Sequence, residues 1–191
     1  MERLLGDGRM TLLDLGLHRR VRVWLDEVDL PMFEEAGRER RQFETHAPEA
    51  SPPGTVTLEA ILPRGGMTNY GALGATFTPN ADSSLLVVEV GHSGEFGLGP
   101  RFDSTLAVPP EKPVLGLPEN LVSAVFAGVN EQLILGPDPG PGMLLFNRAA
   151  HGVIGSSPIM FTLLARAVVR LLSERPTDPS GLSSSLLEAL G

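Results

Sequence analysis

The chain holds no cysteine and only one lysine, one tryptophan and one tyrosine in 191 residues, and each scarcity closes a class of function. Without cysteine there is no disulfide framework, no thiol nucleophile and no Cys-ligated metal, a composition that fits the cytoplasm. Net charge is −8, from 15 basic and 23 acidic side chains. The imbalance is shared, with 8 basic and 11 acidic residues over 1–50 and 7 and 12 over 51–191, so neither part is a basic domain of the kind that releases counterions from nucleic acid. The longest apolar stretch, residues 159–172, is interrupted by Thr162, Arg166 and Arg170, short of the roughly 18 apolar residues a membrane span needs. No membrane partner is expected. The opening residues 1–8 lack the charged, apolar and small-residue blocks of a secretory signal. His18, His46, His92 and His151 show no metal-binding spacing, and no G-x-x-x-x-G-K-[ST] loop is present, so neither a metal nor a nucleotide cofactor is expected.

What is present is a chain long enough for one substantial core, 42% hydrophobic, with an appendage. Val21, Val23 and Leu25 alternate with Arg20, Arg22 and Trp24 as a half-buried strand. Residues 32–43 interleave Glu35 and Glu39 with Arg38 and Arg41, which predicts a solvated charged helix. Residues 47–54 are rich in proline and resist both helix and ladder formation. Three parts follow: an N-terminal extension over 1–50, a core over 51–175 and a tail over 176–191.

Within the core, residues 55–62 and 72–79 read as two strands of a hairpin whose long tip carries Gly65, Gly66, Asn69 and Tyr70. Leu121, Val125, Phe126, Val129 and Leu133 recur at helical spacing, with Pro118 near the start. The apolar run Met143–Phe146 precedes the loop 151–157, where Ser156 or Ser157 caps a second helix and Pro158 fills a first-turn position that needs no N–H. That helix gathers Met160, Leu163, Leu164, Ala167, Val168, Leu171 and Leu172 on one face, with Arg166 and Arg170 outside. Residues 134–142 form a proline-glycine connector, and residues 182–190 either form a short last helix or fray. Two such helices with four or more strands indicate an α+β fold, a two-layer sandwich of a mostly antiparallel or mixed sheet with two main helices.

Taken in order, the loop Gly65-Gly66-Met67-Thr68-Asn69-Tyr70-Gly71, the helix start Leu117-Pro118-Glu119-Asn120 running through Ala127-Gly128, and the loop His151-Gly152-Val153-Ile154-Gly155-Ser156-Ser157 resemble domain IV of translation elongation factor G over residues 54–174. Asn69 stands where that family usually has Gln, Gly152 and Gly155 stand where its second loop carries acids, and residues 91–112 look like an insertion. The resemblance implies a βαβ unit with a left-handed crossover, and a loop tip that contacts RNA at the decoding site of the ribosome. Carried over residue by residue, the tip comprises Arg64, Gly65, Gly66, Asn69, Tyr70, Arg148, His151 and Ser156. The implied partners are the ribosome, rRNA or tRNA, or a protein partner such as a separate GTPase. The expected function is a non-catalytic, translation-factor-like protein. Its rivals are a protein-interaction module of the same fold without ribosome binding, and a small-molecule-binding or hydrolytic protein centred on His92-Ser93-Gly94-Glu95. No G-x-S-x-G elbow supports hydrolysis, and catalysis is not expected.

Overall fold

The computed structural model describes residues 9–27, 30–64 and 67–191. In chain order these form β1 (Arg9–Asp14), β2 (Arg20–Leu25), β3 (Gly37–Glu44), β4 (Gly54–Arg64), β5 (Met67–Pro79), β6 (Leu85–His92), β7 (Val114–Leu115), α1 (Val122–Leu135), β8 (Gly142–His151), α2 (Pro158–Glu174) and α3 (Pro179–Leu190). The strands make one open mixed sheet in the order β1-β2-β4-β5-β8-β6-β3, with β7 on the end of β8. Every neighbouring pair is antiparallel except β6 and β8, which run parallel and are joined through α1. The class is α+β.

Alternation sorts the sheet's two faces. On β4, Val56, Leu58, Ala60 and Leu62 enter the main core, whereas Thr57, Glu59 and Ile61 point the other way. On β5, Leu73, Ala75 and Phe77 share that core, while Tyr70 and Ala72 belong to small clusters on the opposite face. The helices cover the first face. Ser157 caps α2 by accepting from the Met160 N–H at 3.3 Å, and Pro158 opens the helix. Its buried stripe, including Met160, Leu164, Val168 and Leu171, lies over β4 and β5, with α1 and α3 packed on its sides. At Gly128 the α1 and α2 backbones come so close that a Cβ would collide with the Thr162 carbonyl. The last residues form a capped helix, α3, with Asp178 accepting from the Gly181 N–H at 2.9 Å.

Two local expectations are corrected. The charged helix expected over residues 32–43 is instead the edge strand β3, registered along all of β6. Tertiary pairing overrides the helical charge spacing: Arg38 bridges Glu35 and Glu89, and Arg41 lies 4.2 Å from the Phe126 ring centroid. Its charges also suit an edge, because they discourage pairing with another chain. The connector 134–142 does more than connect. Asp138 is buried and its carboxylate accepts from the backbone N–H groups of His46 at 2.7 Å and Gly140 at 2.8 Å, docking the proline-rich segment onto the body. Residues expected as an N-terminal extension thus furnish both sheet edges, β1–β2 on one side and β3 on the other.

Candidate binding cleft at the loop end

The hairpin and the loop before α2 meet at one end of the sheet. The β5–β8 ladder ends with Gly71 opposite His151. Beyond it the Tyr70 N–H donates to the Gly155 carbonyl at 3.0 Å, and Ser156 Oγ donates to the Tyr70 carbonyl at 2.7 Å while accepting from the Gly152 N–H at 2.8 Å. Asn69 joins through Ser157 Oγ, which donates to its Oδ1 at 3.4 Å. Asn69, Tyr70, His151 and Ser156 are therefore brought together. Arg148 is not, because it pairs with Gly74 three ladder positions inward, roughly 10 Å along the strand. The Arg64 side chain, Gly65 and Gly66 lie outside the described residues.

Of the tip residues that the resemblance carries over, His151 and Tyr70 turn their side chains into the protein. His151 is 0% exposed. Its Nδ1 is 2.9 Å from the Gly116 carbonyl, so that nitrogen carries the proton and donates, leaving Nε2 to accept from the Gly97 N–H at 2.9 Å. Burial holds its pKa below the ordinary imidazole value, which keeps it neutral. The ring thereby ties both ends of the segment 97–116, a loop that folds back over the sheet's second face. Tyr70 is 1% exposed and donates its hydroxyl to Glu59 Oε1 at 3.0 Å. Burial, then the Glu59 charge, pushes its phenol above the usual value.

Glu59 is the hub beneath that loop. Its Oε1 also accepts from Thr105 Oγ1 at 2.6 Å and from the Leu106 N–H at 2.7 Å, and its Oε2 lies 3.6 Å from Arg22 Nε. A carboxylate fully withdrawn from water needs such partners to offset its lost hydration. Further along the same loop, Glu111 Oε2 accepts from the Gly155 N–H at 2.6 Å and Oε1 from the Ile154 N–H at 3.3 Å.

Between these anchors lies a cleft of about 540 Å³. Asp14, His18 and Arg20 rim it from β1 and β2, Ile61, Pro63 and Tyr70 from the hairpin, Val108–Glu111 from the loop, and Ile154 from the loop before α2. Its walls are mainly apolar with charges at the rim, a pattern that suits binding. Val108 and Ile154, which line it, are more than half exposed, with relative exposures of 58% and 61%, as is Val153, the chain neighbour of Ile154, at 51%.

Sequence reasoning missed Glu59 and Glu111. An acid inside the apolar alternation of β4 was the available signal for Glu59. Glu111 had none locally, since its contacts are 43 and 44 residues away. In the His92 group the His92 ring packs against Gly37, where a Cβ would sit 2.5 Å from Nε2, and Ser93 Oγ donates to the Leu117 carbonyl. Among the described residues, no group of three His, Asp or Glu is placed to hold a metal ion. Compared with known proteins, the chain matches no family model and no curated protein.

Proposed function

We propose that the chain is a non-catalytic binding module of the elongation factor G domain IV-like type, engaging a protein partner through its loop end. The chain order hairpin, two strands, helix, strand, helix in β4-β5-β6-β7-α1-β8-α2 supports the resemblance, whose motifs occur in that order. The observation that carries the choice of partner is the inward direction of His151 and Tyr70, whose polar atoms are all spent on the protein itself. An RNA-reading tip offers aromatic or imidazole faces for bases to stack on. This end offers apolar Val108 and Ile154 on a cleft, with exposed Val153 next to Ile154 in the chain, on an acidic protein.

A photo-crosslinking residue at Ile154, with Ile134 on α1 as a control, tests this in extracts of the cell the protein comes from. One defined polypeptide adduct at 154, absent at 134 and lost with Val153→Asp, is expected. No adduct at 154 refutes the reading.

The ribosome is the second reading, favoured by His18 and Arg20 standing exposed on the cleft rim. Under it, the crosslink at 154 goes to rRNA or a ribosomal protein, and the protein co-sediments with ribosomes at low salt and is released at moderate salt.

A further inference from the structure

The segment 107–110 forms one wall of the cleft yet has few ties of its own. Its described hydrogen bonds stay within the loop: the Ala107 N–H donates to Thr105 Oγ1 at 3.0 Å, and the Val108 carbonyl accepts from the Glu111 N–H at 3.1 Å. Pro109 and Pro110 have no N–H to offer. The wall is therefore held from outside itself: Glu59 and Arg20 grip Leu106, Glu111 is seated on Ile154 and Gly155, and two residues further on the Pro113 carbonyl accepts from the Phe102 N–H at 2.9 Å.

The two glutamate grips differ in kind. Glu59 is fully buried beneath the loop, whereas Glu111 is only partly buried at the cleft edge. The seat of Glu111 is also built for it. A Cβ at Gly152 would have the Glu111 carboxylate as its three nearest neighbours, at 2.5, 2.6 and 2.8 Å, and one at Gly155 would sit 2.9 Å from Oε2. The two glycines leave the space that the carboxylate fills.

We infer that Glu111 is a releasable latch: when its carboxylate leaves the amides of Ile154 and Gly155, the wall 107–111 moves outward between its Leu106 and Pro113 anchors and the cleft widens. This rests on the reading of the cleft as the partner-binding surface, but its test needs no partner. Gly152 lies outside the left-handed region, so an alanine there costs no backbone strain and acts mainly by displacing Glu111.

The measurement is ¹⁵N relaxation and amide exchange on the full chain, for the wild type, Glu111→Ala, Gly152→Ala and the double variant. Each single variant is expected to speed exchange at Gly155 about ten-fold or more. Each also lowers the order parameters of the wall amides, at residues 107, 108 and 111, from the rigid range near 0.85 towards about 0.6, leaving Leu106, Leu144 and Phe146 protected. The double variant should match Glu111→Ala alone, because no carboxylate remains to displace. Four results overturn the latch: a wild-type wall already below about 0.6, single variants without effect, loss of protection spreading to Leu106 and β8, or additive effects in the double variant. Failure of the crosslink at 154 with these signatures intact would sink the binding reading and leave the latch standing.

Discussion

Replacing Glu59 by alanine removes one acceptor from three donors at once: the Tyr70 hydroxyl, the Thr105 hydroxyl and the Leu106 N–H. The two hydroxyls lie 3.1 Å apart and can bond each other, so one hydroxyl donor and one backbone amide are left buried and unmatched. At about 1–3 kcal/mol for each orphaned group, the expected loss is about 2–6 kcal/mol, centred near 4. For a domain of this size about 4 kcal/mol corresponds to a fall in Tm of about 8–16 °C. Tyr70→Phe removes the bond to the Glu59 carboxylate, together with an acceptor 3.1 Å from Thr105 Oγ1 that Glu59 Oε1 replaces, and should cost about 1.5–3 kcal/mol. The double variant should cost less than the sum, because both changes break the same bond. Trp24, the sole tryptophan, is 1% exposed with the Arg22 guanidinium 5.3 Å from its ring centroid, so its fluorescence reports on this region during urea unfolding. A midpoint shift for Glu59→Ala equivalent to less than about 1 kcal/mol, with an unchanged m-value, would show that the donors find other partners and that Glu59 does not hold the loop.

Other consequences can be measured independently. His151 is held neutral in the fold, so the unfolded chain takes up its proton first as pH falls. Stability from this residue is complete above the unfolded imidazole pKa of about 6.5 and declines below it, and urea midpoints at pH 7.5 and 5.5 should differ less in His151→Gln than in the wild type. An equal pH slope in both would contradict the burial-driven shift. Gly128→Ala improves helix propensity by up to about 1 kcal/mol yet pushes against the Thr162 carbonyl, so thermal melting should show net destabilisation of about 1–3 kcal/mol. Asp138→Ala strips the acceptor from the His46 and Gly140 amides and should cost about 1–3 kcal/mol, with faster exchange at His46 as the local readout.

The parts of the fold that sequence makes visible are those with local causes. The β4–β5 hairpin is written in alternation, α1 and α2 in apolar stripes, and the start of α2 in Ser157-Pro158. The strand β3 is hidden because an edge strand exposed on both faces has no apolar alternation to display; only its partner β6 does. The candidate site divides the same way. The meeting of the two glycine-bearing loops is legible as motif order, whereas the inward turn of His151 depends on Gly97 and Gly116 arriving from a distant segment. Glu111 is the sharpest instance. Gly152 and Gly155 look like lost acids when read along the chain, but an acid from elsewhere occupies their space.

The sheet order has a bearing on how the chain assembles during synthesis. β1, β2, β4 and β5 form one antiparallel ribbon, and β3 and β6 form another. Among the described residues, β8 alone pairs with both, through β5 and β6. It begins at Gly142, so until the residues of β8 have left the ribosome the two ribbons lack the strand that joins them, and each has apolar surface waiting for cover. A premature stop before Gly142 would therefore yield two such ribbons with nothing to unite them, rather than a shortened version of the same protein.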